Sequence, residues 1–138
     1  MSLEIMIPVS LGELVDKISI LEIKSEHLSG DQLSNVLREA GALRAALGSL
    51  PLELDPSLEY QLKVVNQELW VIEDAIRAKE DAADFGPEFI SLARAVYQQN
   101  DRRAAIKKQI NLLYESTYVE EKSYALPCDL PGHSASGC

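Results

Sequence analysis

The sequence predicts an all-α domain: two antiparallel helical hairpins forming a four-helix bundle-like unit, with a short N-terminal strand and a loose C-terminal tail. Three observations predict it. Apolar residues recur at helical steps through four long stretches, and caps and breakers of the right chemistry separate those stretches. A composition of 46% hydrophobic and 25% charged residues over 138 residues suits one folded domain, assigned to residues 1–124, with 125–138 as the tail.

The chain begins with large apolar residues at Leu3, Ile5, Ile7 and Val9. This alternation is strand periodicity, and Pro8 confines such a strand to an edge or an end. Its expected partner is Thr117-Tyr118-Val119, the other β-leaning run, in the same chain or in the second chain of a dimer. Ser10-Leu11-Gly12-Glu13 is a capping box that opens the first helix. Leu11, Leu14, Val15, Ile18, Leu21 and Leu28 then keep a helical spacing, while Ile20 and Ile23 widen the apolar face enough to demand cover on two sides.

Ser29-Gly30-Asp31 turns the chain and caps a second helix through Leu33, Val36, Leu37, Ala40, Leu43 and Leu47. After the link from Pro51 to Pro56, Ser57 is expected to cap a long third helix with Leu58, Leu62, Val65, Leu69, Ile72 and Ile76 at heptad-like spacing. Asp84-Phe85-Gly86-Pro87 breaks it, and Pro87 suits the first turn of a fourth helix running through Phe89, Leu92, Ala93, Val96, Ile106, Ile110 and Leu113. Beyond Glu115 the periodicity is lost, and residues 127–138 have the composition of a loose tail.

Charge narrows the function classes. A net charge of −9 opposes nucleic acid or anionic lipid as partners. No stretch reaches the ~20 apolar residues that cross a bilayer, and the N-terminus lacks a secretory signal, so the expected compartment is the cytoplasm. Residues 49–86 hold three basic and nine acidic side chains, whereas 87–114 hold five basic and two acidic. Adjacent antiparallel helices of opposite sign attract, which fixes register in the second hairpin.

One feature breaks the apolar pattern. In the fourth helix the stripe of Phe89, Ala93 and Val96 continues into Asn100, Arg103 and Lys107 before Ile110 and Tyr114 resume. In the third, Asn66, Trp70, Glu73 and Arg77 share a face. A hairpin turning near Phe85-Gly86 sets Trp70 and Glu73 beside Tyr97, Asn100 and Asp101, and Arg77 beside Arg94. Asp16, Lys17 or Lys24 of the first helix would line a third side.

Such a cluster has two readings. It is a satisfied ion-pair network that specifies register or a dimer seam, because an unsatisfied buried charge is strongly destabilising. Alternatively it is a pocket for a small phosphorylated or carboxylated metabolite. Arg94, Arg103 and Lys107 would then be the donors, Trp70 or Tyr97 the stacking wall, and Glu73 or Asp101 the general base.

Other chemistries find less support. Asp81 with Asp84 and Glu22 with Glu26 have carboxylate spacings used by all-helical, magnesium-dependent nucleotide pyrophosphatases, but the paired elements of that class are not reproduced as a set. Cys128, His133 and Cys138 lack a Cys-x-x-Cys knuckle, and no serine or cysteine nucleophile is grouped with a histidine. No metal and no cofactor is expected. His27 closes the first helix, where a cation interacts favourably with the helix dipole.

Four segments carry a family resemblance. Residues 7–24 (IPVSLGELVDKISILEIK), 66–77 (NQELWVIEDAIR), 89–104 (FISLARAVYQQNDRRA) and 120–124 (EEKSY) are similar to a small bacterial family known only as a domain of unknown function. The resemblance spans about residues 5–124 and implies a small bacterial cytoplasmic protein, without an activity or site to carry over. A fainter likeness joins Leu14-Val15-Asp16-Lys17-Ile18 to the first helix of the all-helical chorismate mutases, which hold a dicarboxylate with Arg, Lys and Glu. The basic residue expected near the end of that helix is replaced by His27 and Leu28. The function expected from the whole is a binding or assembly module acting through helical packing, as a homodimer or with another protein. The alternative is an enzyme or binding protein for the small anionic ligand.

Overall fold

The computed structural model describes residues 2–123 and contains α1 (Leu11–His27), α2 (Gly30–Gly48), α3 (Pro56–Asp81) and α4 (Pro87–Leu113). Each helix starts where its chemistry directs. Ser10 caps α1 by accepting from the Glu13 N–H at 3.0 Å, which is half of the expected capping box. The Glu13 carboxylate does not turn back to complete it, because Lys107 of α4 draws it away at 2.6 Å. The cap of α3 is Asp55 rather than Ser57: its carboxylate accepts from the Ser57 N–H at 2.9 Å, and Pro56 occupies the first turn. Gly86 and Pro87 open α4 as expected.

The two hairpins pack through α1, which touches all three other helices, while α3 and α4 also pack on each other. α1 runs antiparallel to α4, since Gly12 meets Asn111 and Asp16 meets Arg103; it runs parallel to α3, since Ser19 meets Asn66 and His27 meets Trp70. α2 lies along the outer side of α1 and contributes no buried residue. At its C-terminal end Arg44 ties it to both neighbours through Glu22 of α1 and Glu59 of α3. The broad apolar face of α1 is therefore covered on two sides.

One apolar cluster of the core sits where the start of α1 meets the start of α3 and the end of α4. Leu11 and Val15 of α1, Leu58 and Leu62 of α3, and Ile110 of α4 form it, closed in by Leu47, Leu52, Leu54, Ile106 and Tyr114. Burying each such side chain contributes about 1.5–3 kcal/mol. Gly12 lets α1 and α4 approach closely here, because a Cβ at that position would stand 2.6 Å from the Lys107 carbonyl oxygen. The Tyr114 hydroxyl ties the end of α4 to the α2–α3 link, donating to the Glu53 carbonyl at 3.1 Å and accepting from the Asp55 N–H at 2.7 Å.

The expected N-terminal strand is not formed. Residues 2–9 are exposed and lie outside any regular element, and the described residues contain no strand. Their expected partner is engaged differently, as residues 116–120 serve the N-terminus of α1. The Ser116 hydroxyl accepts from the Leu11 N–H at 3.0 Å, and the Ser10 hydroxyl donates to Glu120. The residues that meet are Ser10 and Leu11 with Ser116 and Glu120, just outside both runs, and they meet to cap a helix. The tail from 125 to 138, with Cys128, His133 and Cys138, lies outside the described residues. No helix among them is long and apolar enough to cross a membrane.

Candidate functional site

The polar layer forms where the sequence interrupts the apolar stripe of α4. Asp16 is fully buried on α1, between Val15 and Ile18. Arg103 reaches it from α4 with a forked contact: Nε donates to Oδ1 at 2.9 Å and to Oδ2 at 3.1 Å, and Nη2 bonds Oδ2. Asn66 of α3 completes the site, its Nδ2 donating to Asp16 Oδ1 at 2.9 Å and to Ser19 Oγ at 2.8 Å. Asp16 bonding holds the Arg103 guanidinium above its ordinary pKa, although burial acts in the opposite direction. Among the described residues no buried side-chain nitrogen or oxygen lacks a partner. Three helices are thus locked in register by one carboxylate, the ion-pair reading of the cluster.

A second group secures the N-terminus of α1. Asn111, buried on α4, accepts from the Gly12 N–H at 2.6 Å and donates to the Glu120 carboxylate at 2.8 Å. Burial alone would raise the Glu120 pKa, but bonds from Ser10, its own backbone and Asn111, with the Lys107 charge, hold it below the ordinary glutamate value. The helix dipole at this end is met by the chain's own groups.

Beside the polar layer a half-open cavity of about 510 Å³ lies between α1, α3 and α4. Its apolar lining comes from Ile20, Ile23 and Leu69, and its polar lining from Asn66, Asn100 and Arg103. Trp70, Glu73, Asp74 and Arg77 complete the wall along α3. His27 stacks on the Trp70 indole with ring centroids 4.5 Å apart and 16° between planes.

The candidate residues divide around this cavity. Trp70, Glu73, Arg77, Asn100 and Arg103 line it together, whereas Arg94, Tyr97, Asp101 and Lys107 do not. Arg94 and Tyr97 are exposed on α4. Asp101 is bonded by Lys122, and Lys107 by Glu13. Of the three expected anion donors, two are thus committed to carboxylates of α1. Of the acidic pairs, Glu22 and Glu26 bind Lys63, Glu22 also binds Arg44, and Asp84, but not Asp81, binds Lys79. Among the described residues no group of three His, Cys, Asp or Glu side chains is placed to hold a metal ion.

Sequence reasoning missed Ile20, Ile23, Leu69 and Asp74 in the wall, and the stacking role of His27. No sequence spacing signalled the His27 contact, since His27 lies eleven residues beyond Asp16 whereas Trp70 lies only four beyond Asn66, its partner. Lys17 proved to be an outward pair with Glu39 of α2 at 3.4 Å.

A different feature stands beyond the cavity. α3 and α4 have 26 and 27 residues against 17 in α1, so their hairpin outruns its cover. α3 buries no residue after Leu69, and α4 buries none before Ile110. Ile72, Ile76, Phe89, Leu92 and Val96 stay partly exposed along this length, while Val71, Phe85, Ile90 and Tyr97 are more than half exposed.

No curated protein and no solved structure matches the chain. A family model does match, over residues 5–137, so it continues through the tail that the sequence resemblance had left outside. The chain belongs to that family, DUF6165, a family of unknown function.

Proposed function

We propose that this protein is an assembly module that self-associates through the α3–α4 hairpin. One observation carries the reading: from residue 70 to residue 109 the hairpin buries no side chain, although apolar residues keep helical spacing through it. A two-helix layer leaves apolar surface that a second layer normally covers. The occupant is a second copy of the hairpin, and charge supports this choice. Over the uncovered stretch α3 carries Glu73, Asp74, Glu80 and Asp81, and α4 the exposed Arg94, so a two-fold axis lays Arg94 of each copy on the acidic α3 of the other. The same patch then serves both partners.

Replacing Ile90, 54% exposed on α4, by Glu tests the proposal. Sedimentation at micromolar concentration should show a dimer for the parent protein and a monomer of unchanged helicity for Ile90→Glu. A dimer that survives Ile90→Glu, Tyr97→Glu and Phe89→Glu alike places the seam elsewhere and overturns the assignment.

A further inference from the structure

The cavity beside the polar layer gathers side chains that the fold leaves uncommitted. Arg77, Glu73, Asp74 and Asn100 line one opening, and none of them makes an ion pair or side-chain hydrogen bond among the described residues. Glu73 and Arg77 stand one helical turn apart, yet no ion pair joins them. Trp70 lines the same space, its ring held in place by His27. Arg103 and Asp16, by contrast, are satisfied by each other and fix the shape of the floor.

These groups select a ligand class. A planar ring fits the indole face above the apolar floor, where stacking contributes about 0.5–1.5 kcal/mol beyond area burial. Arg77 offers a forked donor to one anionic group. Glu73 and Asp74 accept from an amino group and repel a second anionic group, as does the net charge of −9. The volume of about 510 Å³ lies within the ~300–1,000 Å³ typical of small-ligand sites.

We infer that the cavity binds an amphoteric aromatic molecule, with a planar ring on Trp70, a single anionic group on Arg77 and an amino group on Glu73 and Asp74. Two sources share that chemistry, an aminopurine nucleoside monophosphate and an aromatic amino acid.

Calorimetric titration of the full chain with AMP and with L-phenylalanine separates them, and inorganic phosphate serves as the anion-only control. Trp70, the single tryptophan, reports occupancy by its fluorescence. Saturable binding of one compound, with a change in Trp70 emission and about tenfold or greater weakening in both Arg77→Ala and Glu73→Gln, supports the assignment and names the source. Both altered residues are exposed, so helicity should be unchanged. Absence of binding by both compounds at millimolar concentration overturns it, as does binding that phosphate alone reproduces or that the two substitutions leave intact.

Discussion

At the scale of single residues, Asp16 does more for this fold than its sequence context suggests. It is a carboxylate in an apolar stripe, and burying it is tolerable only because Arg103 and Asn66 satisfy it. Removing one partner leaves the other buried and uncompensated. Asp16→Ala should therefore cost about 3–5 kcal/mol, a fall of roughly 10–20 °C in Tm by calorimetry, and Asp16→Ala with Arg103→Ala should cost clearly less than the sum of the two. Gly12→Ala tests the neighbouring contact. A Cβ 2.6 Å from a backbone oxygen must push α1 from α4, with an expected loss of about 1–3 kcal/mol in denaturant unfolding. Glu120 supplies a pH signature. Its pKa is depressed in the folded state, so its contribution is present above the ordinary glutamate range and fades as pH falls through the folded value. Glu120→Gln should flatten the acid side of the stability curve, measured by urea unfolding, and leave its alkaline side unchanged.

The helices themselves were legible in the sequence because local chemistry decides them. Ser10, Gly86 and Pro87 stand where the structure starts helices, and Leu58, Leu62, Val65 and Leu69 all reached the core. The register of the second hairpin was legible too: a turn at Phe85-Gly86 sets Glu68 beside Arg102, and the two pair at 3.3 Å. What failed was pairing that no local signal specifies. The N-terminal strand needed a partner, and 117–119 lies between Ser116 and Glu120, both of which are bonded to the start of α1. Arg94 and Tyr97 failed because they sit off the α1-facing stripe, which runs through Asn100, Arg103 and Lys107. Burial also ranks the elements in stability. α2 buries nothing and packs chiefly on α1, so its amides should exchange with solvent markedly faster than those of α1 in hydrogen-exchange experiments.

For the whole molecule, the distribution of the core is the informative fact. Buried residues concentrate where α1 meets the start of α3 and the end of α4, and the far half of the hairpin is left with apolar surface on both helices. Sequence periodicity showed that these residues are apolar, but it could not show that α1 stops short of them, because that depends on how three helices of unequal length align in space. The alignment is set by Asp16, Asn66 and Arg103, and it leaves the hairpin free to meet its own copy. Sedimentation equilibrium of the unmodified chain from about 1 to 100 μM spans the affinities of ordinary homodimers and tests this most directly. Self-association predicts a mass approaching twice 15.2 kDa as concentration rises. A mass of 15.2 kDa across the whole range contradicts it.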